Sequence, residues 1–157
     1  MPQTFDSLQP GFVPEGFRLF GKEQGIYVGE FWGSREQIAL HYRKPRQMWG
    51  LGSEITICWA PEKNLMLTGT TNRVGVPVTV NGMPGVYHDG MWMPGPGPEE
   101  VKFEPNGTAH WGRDLVHSIT MHTSEGVFGL RAPRTSVPHL ESLVQIMSTM
   151  STIKAPG

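Results

Sequence analysis

The sequence predicts an α+β fold, a curved antiparallel β-sheet of about eight short strands with a C-terminal amphipathic helix packed on one face. Three observations carry the prediction. Glycine and proline supply 20 and 14 of the 157 residues, and neither is well tolerated inside helices, so the chain is cut into short strands and turns. Several segments alternate apolar and polar residues with the period of a strand. Only the C-terminal segment changes to the period of a helix.

Taken in order, residues 1–15 read as an irregular lead-in broken by Pro10, Gly11 and Pro14. Phe17–Phe20 and Ile26–Trp32 read as two strands joined by a turn at Glu23-Gln24-Gly25. Gln37–Tyr42 alternates cleanly, with Ile38, Leu40 and Tyr42 on one face and Ala39, His41 and Arg43 on the other. A loop over Pro45–Ser53 carries Met48, Trp49 and Leu51, and Glu54–Ala60 and Leu65–Thr70 read as strands. Asn81-Gly82 after Val78-Thr79-Val80 is the best hairpin signal in the chain, because this pair accepts positive φ at both turn positions. The segment from Tyr87 to Glu99 reads as a loop, since Pro94, Pro96 and Pro98 remove three backbone donors in five residues.

Two more hairpins are expected, turning at Pro105-Asn106-Gly107 and at Ser124-Glu125-Gly126. The helix is expected over 136–153. Leu140, Leu143, Val144 and Met147 recur at helical spacing, Thr135 or Ser136 can cap it, and Pro138 suits its first turn. Burying four such side chains contributes on the order of 6–12 kcal/mol before entropy.

The length suits a single domain over residues 1–157. Charged residues make up only 17%, but the 38% hydrophobic content suffices for collapse. A net charge of −1, with no run of Lys and Arg, argues against nucleic acid as a partner. Cys58 is the single cysteine, which excludes an internal disulfide and thiolate clusters; its apolar strand context suggests a buried, inert thiol. No stretch reaches the roughly 20 apolar residues of a membrane span. No leader pattern follows Met1, so the chain taken as given is expected in the cytoplasm.

Six histidines, at positions 41, 88, 110, 117, 122 and 139, show none of the close ligand spacings of a zinc site, so no metal and no cofactor are expected. His117 lies on the apolar face of its strand, where a neutral core histidine bonded to backbone is the simplest reading. No Gly-x-Ser-x-Gly elbow and no phosphate-binding Gly-x-x-x-x-Gly-Lys loop occurs, and no catalytic residue is assigned. The candidate ligand-binding residues are Trp49, Met91 and Trp92, with His88 and Asp89 at their rim, because aromatic and sulfur side chains on loops supply adaptable contact area.

Val13-Pro14-Glu15-Gly16-Phe17-Arg18-Leu19 resembles the opening of the extracytoplasmic domains of bacterial anti-sigma-like membrane proteins. The order of Ile38–Tyr42, Val78–Gly82, Trp111 and the Leu143–Met147 segment fits the same pattern. Periplasmic sigma-regulator and lipoprotein-sorting domains are more distantly similar. The resemblance implies a curved antiparallel sheet with helix in its hollow, no catalytic residues, a sensing or binding role and an extracytoplasmic setting. The Met91–Pro98 segment stands outside the family pattern.

Three functions are therefore set against the structure. The first is a non-enzymatic binding or sensing domain for a small molecule, lipid or protein. The second is a hydrolase-like enzyme, possible metal use included, built on His41, His117 or His122 with Asp89 or Asp114. The third is an interaction module that pairs strands at a sheet edge.

Overall fold

In a computed structural model, which describes residues 3–25, 27–28, 31–32, 36–46, 52–61, 70, 73–99, 101–104 and 107–153, the alternating segments pair into antiparallel sheets. The principal sheet has seven strands in the order β1 (Arg18–Gln24), β4 (Ile38–Arg43), β5 (Ile55–Ala60), β12 (Gly126–Pro133), β11 (Val116–Thr123), β7 (Met83–His88) and β6 (Val76–Val80). A three-stranded sheet orders β8 (Met91–Pro94), β10 (Gly107–Gly112) and β9 (Val101–Glu104), and β2 (Tyr27–Val28) pairs with β3 (Phe31–Trp32). Among the described residues there are two helices, α1 (Phe5–Leu8) and α2 (Leu140–Ser148). The fold is α+β, with the strands divided among one large and two small sheets.

Register explains where the core sits. Leu40, Ile57, Leu130 and Ile119 are consecutive cross-strand partners, so their side chains form one apolar row on a common face. Trp59 and Phe128 pair beside them. On this front face α2 buries Leu143, Ile146 and Met147, and Met150 and Ile153 extend the same core beyond its end. Each such side chain contributes about 1.5–3 kcal/mol by leaving water.

The hairpin chemistry is as expected. Asn81 and Gly82 take φ of 51° and 79° between β6 and β7, the geometry that matches the twist of paired strands. Gly126 takes φ of 123° where β11 turns into β12.

Several elements differ from the sequence expectation. β1 runs through Gln24, into the expected turn, because its length is fixed by pairing with β4 up to Gln24–Ile38. The single strand expected over Ile26–Trp32 divides into β2 and β3, which pair with each other. The lead-in contains α1, one helical turn closed by a capping box between Thr4 and Ser7. The expected 87–99 loop contains β8, which pairs with β10 from Met91–Gly112 to Pro94–Ala109. Pro94 is accommodated because β8 is an edge strand, where a missing donor can face away from the ladder.

The C-terminal helix is shorter than the expected 136–153. Pro138 disfavours helical backbone at Val137, and His139 sits at the N-cap in extended conformation (φ −101°, ψ 135°), so neither Thr135 nor Ser136 caps the helix. Turns rather than helix follow Ser148. The expected strand over Leu65–Thr70, except Thr70 itself, and most of the Pro45–Ser53 loop lie outside the described residues.

Candidate functional site

The side chains singled out in the sequence fall into one neighbourhood, apart from Trp49, which lies outside the described residues. His88 ends β7, Asp89 follows it, and Met91 and Trp92 open β8. They assemble around Trp111 of β10. Trp92 meets the Trp111 ring edge-on at 5.3 Å, His88 lies 6.1 Å from it, and the Arg73 guanidinium covers it at 4.4 Å.

Asp89 closes this cluster. It accepts hydrogen bonds from Trp111 Nε1 at 2.9 Å and from Arg113 Nε at 2.7 Å, and Arg113 also pairs with Glu99. Burial alone would raise the Asp89 carboxyl; the bonds from Arg113 and Trp111 and the charges of Arg113 and Arg73 outweigh it and hold the carboxyl below its usual range. The Asp89 oxygens are thus engaged in fastening the small sheet rather than offered outward. Trp111, which the sequence offers only as part of the family resemblance, and its two arginines were not among the candidate ligand-binding residues.

A second arrangement lies on the face of the principal sheet opposite α2. His41 pairs with Thr56, Thr56 with Arg131, Arg131 with Ser118, and Ser118 with His88. Because directly opposed residues share a face, these five side chains form one polar row across five strands. Thr120, two residues beyond Ser118, belongs to the next row. Thr56, Ser118, Thr120 and His88 are each 2% exposed or less, and Arg131 is 7% exposed. Beside them Ala39, Cys58, Ala60 and Val127 form a small apolar cluster, in which Cys58 is buried.

Burying polar side chains costs free energy unless each finds a partner. At one end of the row the requirement is met. His41 Nε2 pairs with Glu23, and its Nδ1 lies 3.2 Å from Thr56 Oγ1 and 3.6 Å from Glu54. At the other end it is not met. Ser118 Oγ, Thr120 Oγ1 and His88 Nδ1 are buried with no hydrogen-bond partner among the described residues. His88 Nε2 stands 2.9 Å from the Arg73 carbonyl, which can only accept, so Nε2 carries a proton, and Nδ1 is an acceptor whenever the ring is neutral. A donor from outside the described residues would satisfy it.

Of the other histidines, His110 Nδ1 lies 2.8 Å from the Gly95 carbonyl, bound within the small sheet. His117 is on the front face, where Nε2 donates to the Val137 carbonyl at 2.6 Å and Nδ1 accepts from the Tyr87 hydroxyl at 2.8 Å. Arg134 Nη1 donates to the same Tyr87 oxygen at 3.1 Å. Burial pushes His117 below its ordinary value and Tyr87 above its own. His41 and His117 therefore project from opposite faces, and His122 and Asp114 are exposed. Among the described residues no three His, Cys, Asp or Glu side chains come together as a metal-binding group. A cleft of about 690 Å³ lies near the Ser124–Glu125 turn, lined by Gln3, Gln24, Glu36 and Pro61 among others. Within it the Gln3 side-chain amide donates to the Glu125 carboxylate, and the Trp59 indole in its wall donates to the Glu125 carbonyl.

Among the described residues no helix is long and apolar enough to cross a membrane. Comparisons with protein-family models, with curated proteins and with solved structures find no match for the chain.

Proposed function

We propose that the protein is a non-enzymatic binding or sensing domain whose ligand, a small molecule, meets the polar sheet face opposite α2. The observation that carries this reading is the group of three buried polar atoms on Ser118, Thr120 and His88 that have no hydrogen-bond partner among the described residues. Buried polar atoms in folded proteins are almost always bonded, so three exceptions on adjacent strands mark a place where a further molecule completes the structure. The cluster around Trp111 lies alongside through His88 and gives the site an aromatic wall. The resemblance to extracytoplasmic anti-sigma-like domains favours the same role and would set it outside the cytoplasm.

Two-dimensional NMR titration with carboxylates, phosphates, sugars and short peptides tests the proposal. It should move the resonances of Ser118, Thr120 and His88. Shifts confined to other surfaces would overturn it.

A second reading has one observation in its favour. Glu23, His41 and Thr56 stand in the order carboxylate, imidazole, hydroxyl, which in hydrolases turns a hydroxyl into a nucleophile. Labelling by a fluorophosphonate that disappears in Thr56→Val would support it; absence of labelling would remove it.

A further inference from the structure

Asn81 is held by its side chain as well as by its backbone. The backbone takes φ of 51° in the two-residue turn between β6 and β7, with Gly82 following at 79°. The amide nitrogen donates one hydrogen to the Ser148 carbonyl and the other to the Ile153 carbonyl, at the end of α2 and in the turns beyond it. Asparagine followed by glycine is also the pair most open to an intramolecular reaction. Gly82 has no side chain to shield its nitrogen, is exposed, and has nothing within 4 Å of where a Cβ would stand. A small ring closes when that nitrogen reaches the side-chain carbonyl carbon of Asn81.

We infer that Asn81 is a site of spontaneous deamidation whose rate is set by the docking of the end of α2. In the reaction the Gly82 nitrogen gives up its proton to solvent and bonds to Cγ of Asn81. The Cγ–Nδ2 bond breaks, and the amide leaves as ammonia. Water then opens the cyclic imide. Cleavage of the new N–Cγ bond gives aspartate, and cleavage of the original peptide bond gives isoaspartate, with the chain running through the side chain. To start, the carboxamide must turn toward Gly82, and it does not do so while Ser148 and Ile153 hold both its hydrogens. The docked helix end therefore protects Asn81, and its release opens the way to reaction.

The product reverses the contact. An amide that donates twice becomes a carboxylate that only accepts, set against two carbonyl oxygens. Isoaspartate also adds a backbone carbon to a turn whose register, Val80 against Met83, has room for two residues only. Either product unfastens the chain after Ser148, where Met150 and Ile153 are wholly buried. Conversion thus turns a reversible opening of the helix end into a permanent one. This chemistry is separate from the ligand reading and uses no residue of the polar row.

Peptide mass spectrometry of the full chain, incubated at mildly alkaline pH, tests it. The tryptic peptide between Arg73 and Lys102 contains Asn81 as its one asparagine, so exchange of amide for acid there reports on this residue alone. The second Asn-Gly pair, Asn106-Gly107, falls in a separate peptide and supplies the intrinsic rate when the chain is unfolded in guanidinium. Asn81 should react at that rate in the unfolded chain and about tenfold or more slowly in the folded one. Met150→Ala removes buried contacts of the helix end, leaves both turn residues in place, and should raise the folded rate at Asn81 several-fold. Ile153→Ala supplies the same measurement should Met150→Ala fail to fold. Equal rates in the folded and unfolded chain, or no response to the loosened helix end, would overturn the protection by α2. No conversion at Asn81 in the unfolded chain would overturn the site itself.

Asn81→Asp stands for the aspartate product. Its Met150 and Ile153 amides, which bond to the Met147 and Met150 carbonyls, should exchange with deuterium about tenfold faster than in the native chain. Unchanged exchange would show the helix end still fastened against a carboxylate and would overturn the unfastening.

Discussion

The side-chain amide of Asn81 donates to the carbonyl of Ser148 at 2.9 Å, so the hairpin turn between β6 and β7 fastens the end of α2 to the sheet. A second bond from the same nitrogen reaches the Ile153 carbonyl at 3.0 Å. One residue thus serves the turn, through its positive φ, and the helix terminus, whose last carbonyls lack partners within the helix. Asn81→Gly retains the backbone conformation and removes only the amide. It should lower stability by about 1–3 kcal/mol, the cost of leaving these carbonyls unpaired. Asn81→Ala should cost about 1 kcal/mol more, because a non-glycine residue is strained there. Denaturant unfolding of the two variants separates the contributions, and Asn81→Gly matching the native protein would show that the amide bonds add nothing.

His117 makes stability depend on pH in a known direction. Its ordinary value of 6.5 describes the unfolded chain, and burial lowers it in the fold. The unfolded state therefore takes up the proton first, and stability, complete above pH 6.5, falls as pH drops toward the folded value. Protonation at Nδ1 would also turn that nitrogen from an acceptor of the Tyr87 hydroxyl into a donor opposed to it. Between pH 7 and pH 5 the stability should decline by up to about 1.4 kcal/mol per pH unit for this one proton. His117→Gln should be less stable at pH 7 and lose less on acidification. An unchanged slope in the variant would assign the decline to other groups.

How far the fold could be read beforehand follows from the range of each signal. The front and back of β4 were legible because Ile38, Leu40 and Tyr42 alternate within one segment. The Asn81–Gly82 and Gly126 turns were legible because their backbone demands rest on one or two residues. Strand β8 was not, since whether Pro94 can sit in a ladder depends on β8 being at an edge, a property of the assembled sheet. Nor was the start of α2, because periodicity is blind to the Val137 carbonyl being taken by His117. The polar row was hidden for the same reason. His41, Thr56, Arg131, Ser118 and His88 come from five strands whose neighbours are set by long-range pairing. Of the residues proposed from sequence, His88 joins that row and Asp89 is turned into the fastening of the small sheet.

Asp89 distinguishes a hydrogen bond from a charge. Asp89→Asn retains an acceptor for Trp111 Nε1 and gives up the ion pair with Arg113, whose members are 40% and 35% exposed. Exposed pairs contribute little, so the loss should stay below about 1 kcal/mol. Asp89→Ala leaves the Trp111 N–H without its partner beside a buried ring and should cost about 1–3 kcal/mol. The native carboxyl titrates below the ordinary 3.8, so its contribution is complete above that pH and is lost as pH falls through the folded value. Acid unfolding of Asp89→Asn should therefore lack part of the native decline below pH 3.8. Equal stability of the Asn and Ala variants would show that the Trp111 bond carries no weight.

Two glycines with positive φ should respond differently to the same substitution. Gly82 has φ of 79° and nothing within 4 Å of where a Cβ would stand. Gly82→Ala therefore meets only backbone strain, about 1–2 kcal/mol. Gly126 has φ of 123°, and a Cβ there would collide with the Ala60 carbonyl oxygen and come within 2.8 Å of Trp59 Nε1. Both atoms are fixed: Ala60 pairs with Val127, and the indole donates to the Glu125 carbonyl. Relief would require opening the β5–β12 ladder at its most buried end, so Gly126→Ala should exceed about 3 kcal/mol and alter the tryptophan emission. Similar losses at the two positions would mean that φ alone, and not the approach of β5, requires glycine at 126.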